Sequence, residues 1–476
     1  MTSVQNWEKV AEAKRAKLAE SIPQEHRVPQ QHLPPDSQLD VTTWPKESGW
    51  FSSEELEITG STATELLQKI ASKTWSSEKV TRAFCKRAAA AQQLLIRMKL
   101  NCLTDAFFDE AIESAKALDE HLNRTGQLKG PFHGLPISLK DNFNIKGKDS
   151  SVGFSSLVND PAEYNATLVD VLENLGAVRY CKTNVPTAMM IPESVNNVFG
   201  RTISPLNRKV TSGGSSGGES ALIAFGGSPI GIGLAGQEAV ASVNGPMART
   251  LEDIITYSKA VINSQQWLLD PKVLPIPWRQ VEQQKKLKIA VLWNDGICMP
   301  TPPVTRALKE TVESLKKSGH EVVEWDPKLH AKALDQLGRM FVADGGKTVK
   351  NLLAPTGEPI RPEMQQYQDA QDLGVFEMWQ LHLERTELQR QYLEQWMSYE
   401  NLDAILGHHF KYVGYTGVFN VVDYSAVSFP TGITVDKTKD TSFADAKVQS
   451  EYCQAARDSC ECSIATWCIV TPANIS

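Results

Sequence analysis

The chain has 476 residues, a formal net charge of -7, 41% hydrophobic and 22% charged residues, which is the balance of an ordinary globular protein with ample material for a core. The acidic excess argues against nucleic acid or an anionic membrane surface as the main partner. No uninterrupted apolar run approaches the roughly 18 residues of a spanning helix, and the N-terminal stretch lacks the apolar centre of a signal peptide, so a cytoplasmic protein is expected.

Residues 7–20 predict an amphipathic helix. Pro23 to Pro45, rich in proline, glutamine and aspartate, reads as an extended arm. Helical periodicity returns at 63–71 and again from Ser77, read as an N-cap, through Val80 to Ala88; a third helix fits Phe107 to Leu122. Pro136 to Ile145 is a short apolar strand ending in a polar turn, Thr167 to Leu175 a helix, and Ala177 to Cys181 a strand. This alternation predicts an α/β sheet with covering layers. Lys288 to Trp293 is another strand, Val304 to Lys317 a helix stopped by Gly319, and Glu321 to Trp325 a strand, together one βαβ unit. Glu377 to Trp396 carries a long helical pattern, and no internal repeat or low-complexity tract is present.

Two stretches carry chemistry. Gly134-Leu-Pro-Ile-Ser-Leu-Lys140-Asp141 places a lysine at the end of an apolar run. Loss of hydration there disfavours the charged amine and makes it a proton acceptor; the plainer reading is a lysine snorkelling from a strand end. Gly213-Gly-Ser215-Ser216-Gly-Gly218-Glu219 embeds a serine pair in glycines, which permit close approach of other chain segments. A flexible loop is the plain alternative, disfavoured by the apolar Ala221 to Phe225 that follows. A phosphate-cradling loop is disfavoured because Glu219 stands where its lysine belongs. A serine beside a buried lysine is a proton-relay pair for acyl transfer.

Gly231-Ile-Gly233-Leu-Ala-Gly236 matches the spacing of a dinucleotide fingerprint, but no β-branched strand leads into it. Four cysteines are dispersed and four crowd the tail; Cys460 and Cys462 lack a nearby histidine and the spacing of a zinc site. His408 and His409 are adjacent, a spacing that turns their rings apart, and read as surface residues. No metal and no cofactor is expected.

These residues resemble the amidase signature family, and its fungal acetamidase-like members in particular. Lys140 stands at the family's catalytic lysine and Ser215 at its relay serine, which carries a cis peptide in the family. Further matches are Lys182 to Pro186, Asn197 to Gly200, Gly245 to Asp253, Tyr415 to Asn420 and Ser428 to Gly432, and the likeness runs from about Trp7 to about Ala456. The resemblance implies an α/β/α fold with a mixed central sheet covered by helices. It implies hydrolysis of a carboxylic amide to a carboxylate and ammonia or an amine, with Lys140 as base, Ser215 as relay, a second serine as acyl carrier, and Met189 and Ser215 lining the acyl pocket. The partner implied is a small-molecule amide, and a homodimer is left open.

The family's T-D-I-G-G-S block, which supplies the attacking hydroxyl and the amides of the oxyanion hole, has no counterpart after Gly233. Ala239 stands at the family spacing from Ser215, and Ser242 is the nearest hydroxyl. Asp403-Ala-Ile-Leu406 runs into Gly407-His-His rather than a proline-rich turn, and the tail after Arg457 departs from the family pattern. The expected organisation is an N-terminal helix and arm over 1–60, an amidase signature domain over 61–456 shortened after 233 and near 407, and a cysteine-rich tail over 457–476. Three readings stay open: an active amidase, a pseudo-amidase that binds without turnover, and the product of a mispredicted or decayed gene.

Overall fold

The computed structural model describes residues 6–93, 100–235, 240, 243–282, 284–409, 413–436, 438–440, 450 and 466–472. They form two compact units. The first holds the described residues up to Ala235, then 243–280 and 348–365; the second holds the remainder.

In the first unit a mixed five-stranded sheet has the order β1-β3-β2-β4-β5, where β1 is Leu103–Ala106, β2 Pro136–Lys140, β3 Val178–Thr183, β4 Ile230–Ala235 and β5 Val243–Ala248. The inner strands β3, β2 and β4 are parallel, and β1 and β5 close the edges antiparallel. Pro246 can sit within β5 because an edge strand does not need its missing N–H. Around the sheet lie α1 (Trp7–Glu20), α2 (Ala63–Ala71), α3 (Ser77–Gln93), α4 (Phe108–Thr125), α5 (Thr167–Asn174), α6 (Gly217–Ala224) and α7 (Leu251–Ile262). The cap of α3 differs from expectation. Ser77 lies inside the helix, Ser76 Oγ accepts from Lys79 N at 3.0 Å, and the Asp119 carboxylate accepts from Ser77 N and Glu78 N.

The pleat decides what β2 presents to each side. Ile137 and Leu139 join Ile230 and Ile232 in an apolar cluster with Leu168 and Leu172 of α5 and Tyr257 and Val261 of α7. Ser138 and Lys140, on the opposite face, are buried as well. The sheet is therefore covered on both sides, and one side of its centre is polar. The arm after α1 holds two single helical turns, at 24–26 and 30–32, and is pinned by the buried Arg208, whose Nε donates to Gln38 O at 2.7 Å. The helix α1 is anchored by Lys14, which pairs with Asp149 at 2.8 Å.

The second unit carries another mixed five-stranded sheet, β7-β6-β8-β10-β9, with β6 at Lys288–Val291, β7 at Glu321–Glu324, β8 at Ala404–His409, β9 at Tyr424–Pro430 and β10 at Thr466–Pro472. The expected βαβ unit is β6, α8 (Pro302–Lys317) and β7, with β6 and β7 parallel. Prolines occupy the first turn of α8, and Gly319 follows its end at φ 91°. Helices α9 (His330–Phe341), α10 (Val375–Met397) and α11 (Gly414–Val422) cover the sheet. Trp325, Tyr392, Trp396, Phe419 and Tyr424 form its aromatic core.

Two details of this unit differ from the sequence reading. His408 is buried within β8, its ring against Tyr415, because the chain continues as a strand where a proline turn was expected. The tail supplies β10, paired antiparallel to both β8 and β9; Trp467-Cys-Ile-Val-Thr471 is the aromatic and β-branched composition that suits a strand.

Candidate active site

Lys140 ends β2 with no exposed surface, and its Nζ lies 2.7 Å from Ser215 Oγ. The two residues, far apart in sequence, meet because α6 begins just after Ser215 and packs its first turn on the polar face of the sheet. Burial lowers the lysine to about 7, against the opposing pull of the Glu219 carboxylate. A lysine so placed is a proton acceptor near neutrality. The Gly214–Ser215 peptide is cis.

The glycines around the serine pair answer to close approach rather than to flexibility. A Cβ on Gly214 would lie 2.7 Å from Glu193 N, one on Gly217 2.6 Å from Ser194 Oγ, and one on Gly218 2.3 Å from Asn184 N. Ser194 clasps the backbone of Ser215: its hydroxyl donates to Ser215 O at 3.2 Å and accepts from Gly217 N at 2.8 Å. Met189 is half-buried in the turn 187–189, where Ala188 and Met189 both have φ 58°. The chain running from that turn to Glu193 and Ser194 joins it to Ser215.

Asp141, next to the lysine, is a buried organiser. It accepts from Thr104 Oγ1 at 2.6 Å, Ser151 Oγ at 2.9 Å and Val152 N at 2.8 Å. Val152 O in turn accepts from Ala188 N at 3.0 Å, which couples the lysine's strand to the Met189 turn.

The sequence reading gave no role to Ser138 or Ser194; Asp141, Thr183 and Glu219 stood in its motifs, but only as matched positions. For Ser138 a signal existed: it lies two positions before Lys140 and so shares its face. Ser194 carried none, since only the fold brings it to the serine pair. Ala239 and Ser242 lie outside the described residues, as do Cys453, Cys460 and Cys462. The dispersed cysteines Cys85, Cys102, Cys181 and Cys298 are buried. Gly231 and Gly233 sit inside β4, not in the strand-to-helix turn that a dinucleotide site requires. Among the described residues no group of three or more histidine, cysteine, aspartate or glutamate side chains could hold a metal, and no helix is long and apolar enough to cross a membrane.

The sequence profile of the amidase family matches residues 79–236 and 232–434. The chain belongs to the amidase family. It is 36% identical to the acetamidase of Emericella nidulans, over 94% of this chain and 92% of the relative, and 35% identical to that of Aspergillus oryzae with the same coverage. It is 37% identical to amidase 1 of Gibberella moniliformis over 75% of this chain and 78% of the relative. Among solved structures, fatty acid amide hydrolase superposes with a TM-score of 0.91 at 30% identity, covering 98% of this chain and 92% of the other. A bacterial aryl acylamidase of the amidase signature family shares the fold at a TM-score of 0.67 and 17% identity, covering 86% and 92%. The fold is thus the mixed-sheet α/β/α fold of the amidase signature enzymes, and the chain is an amidase-family hydrolase with an amide as its class of substrate.

The two stretches matched by the family profile meet at 232–236, at the end of β4. The alignment with the Emericella acetamidase spans 514 residues, more than the 476 of this chain, so that relative carries residues with no counterpart here.

Proposed function

We propose that the chain is an amidase in which base and relay are assembled but the acyl-carrying serine and its oxyanion donors are lacking, so that turnover is strongly impaired. The observation that carries the first half is the 2.7 Å pairing of Lys140 Nζ with Ser215 Oγ inside a buried site. In the intact chemistry the neutral Lys140 takes a proton from Ser215. Ser215 takes one from the attacking serine hydroxyl, and the proton returns along the same path to the leaving amine. The Met189 turn and Ser215 border the acyl group.

The second half rests on the sequence after Gly233 and on the meeting of the two family matches at 232–236. A role as a binding protein is the second reading, favoured by the same retention of a formed polar site without an acyl carrier.

The experiment is ammonia release from acetamide, benzamide and longer amides, by the chain itself and by a version with the T-D-I-G-G-S block grafted after Gly233. Release from the grafted version alone is expected. A family-like rate in the ungrafted chain that is abolished by Ser242→Ala would mean that the nucleophile lies there. A rate that survives Lys140→Ala would overturn the relay.

A further inference from the structure

Glu219 is fully buried, four positions after Ser215 on α6. Its carboxyl touches three strands. Ser138 Oγ of β2 lies 2.5 Å from Oε2, and Thr183 Oγ1 of β3 donates to Oε1 at 3.0 Å. On β4, Gly231 leaves it room: a Cβ there would stand 1.9 Å from Oε2. From Ser138 the hydrogen bonds continue to Ser228 Oγ at 2.8 Å and from Ser228 Oγ to Ile230 O at 2.8 Å. Thr183 is also the register partner of Lys140 across the sheet.

This hydroxyl chain can be satisfied in two ways. With Glu219 ionised, Ser138 and Thr183 both donate to it, and Ser228 donates to Ile230 O. With Glu219 protonated, its O–H donates to Ser138, Ser138 to Ser228, and Ser228 to Ile230 O. Apart from the proton on Glu219, only a turn of the Ser138 hydroxyl separates the two forms, and neither leaves a donor of the chain unused. A buried carboxyl without such an adaptable partner would be locked in one state.

The titratable groups that face Glu219 are Lys140 on β2, Tyr180 and Cys181 on β3, and Cys102 ahead of β1. Burial drives the two thiols and the phenol well above their ordinary values, so they stay uncharged. Among the described residues, Lys140 is then the charge that this carboxyl meets.

We propose that Glu219 is the positioning residue of the relay: it ties the lysine's strand to the serine's helix, and its carboxyl is the counter-charge that decides when Lys140 is ammonium and when it is amine. The two forms hold the same number of protons. In one, Lys140 is –NH3+ and Glu219 carboxylate; in the other, the proton absent from the amine resides on the carboxyl, and no net charge is buried. Burial, which raises Glu219 and lowers Lys140, works against the charged form, and the attraction between the two charges works for it. The inference rests on the reading of Lys140 as the relay base.

The test follows Lys140 directly and not through turnover. Full-length protein carrying 13C-labelled lysine is titrated by NMR, and the Lys140 signal is assigned by its loss in Lys140→Met. Glu219→Gln keeps the shape and hydrogen bonds of the carboxyl but removes its charge. The Lys140 midpoint is expected to fall by about one to three units. A purely structural glutamate would leave the midpoint unchanged, and that result overturns the proposal. If Glu219→Gln does not fold, Ser138→Ala takes its place. Loss of the Ser138 hydrogen bond makes the carboxyl harder to ionise, so the Lys140 midpoint again moves down, and an unmoved midpoint again overturns the proposal. Failure of the relay reading looks different: Lys140 still titrates with Glu219, while amide turnover in the grafted chain survives Lys140→Ala.

Discussion

The inner strands of the first sheet bury Lys140 on β2, with Glu219 on the same face, and Lys182 on β3, held by Asp149 O and Ser150 Oγ, whereas those of the second bury Ile289, Ala290, Val291, Ile405 and Leu406, with His408 as the buried polar residue. The sheets share strand number and a mixed topology, so the contrast lies in what covers them. In the first, a glycine-opened helix start brings backbone and carboxyl within reach of β2. In the second, α9, α10 and α11 bring Leu337, Leu381, Tyr392 and Phe419. A buried ionisable group exists there too, but burial lowers His330 to about 4 and leaves it neutral, beside the Tyr392 hydroxyl. Polar groups at the centre of a sheet survive only where partners surround them. In this chain that condition marks the candidate site.

The largest expected difference between the two units is in catalysis. Grafting the T-D-I-G-G-S block after Gly233 is expected to raise amide turnover by more than the roughly 10²–10³ that a single oxyanion donor contributes. Lys140→Ala is expected to remove that gain, while His330→Leu in the second unit leaves it. Ammonia release by the four proteins checks this, and an equal loss from His330→Leu would erase the distinction between the two sheets.

The next effect is on stability. Trp396→Ala opens the aromatic core of the second unit and is expected to cost about 3–5 kcal/mol, read as a lower denaturant midpoint at unchanged slope. In the first unit, Lys14→Met leaves the buried Asp149 without its 2.8 Å partner. A cost of about 3 kcal/mol is expected, at the low end for a broken buried pair because Asn159 N still donates to the carboxylate at 3.1 Å.

The smallest effect is the one most particular to the site. Glu219 is raised from its ordinary value to about 7, so between the two values the folded state binds the extra proton, and stability falls as pH rises toward 7. Lys140 is lowered from its ordinary value to about 7, so above 7 the unfolded state holds the extra proton, and stability rises with pH. Together they contribute a shallow minimum near pH 7. Denaturant midpoints measured from pH 5 to 9 are expected to show this dip in the chain and to lose it in Glu219→Gln with Lys140→Met. An identical dip in the double variant would trace it to other groups.

Much of the fold was legible because its signals are local. The helix at 7–20, the βαβ unit from 288 to 324 and the long helix ending near Trp396 follow from periodicity and from stops such as Gly319. The strands β1, β4, β5, β8, β9 and β10 were not foreseen. Gly231-Ile-Gly233 and Val243-Asn-Gly-Pro246 have weak strand propensity and are held by their neighbours instead, β4 between β2 and β5. His408 was misplaced for the same reason: exposure is decided by the strand in which a residue lands.

By itself the sequence determined the family, the α/β alternation, the lysine–serine pair and the lack of the nucleophile block, because each is a property of residue type and spacing along the chain. Only the tertiary structure decided that Glu219, Ser138, Thr183 and Ser194 surround that pair. These residues lie on separate strands, loops and helices, and their partnership depends on the face each strand shows and on the glycines that let α6 approach. Protonation belongs to the same level, since the charge of a buried amine is set by burial and by the groups that fold against it.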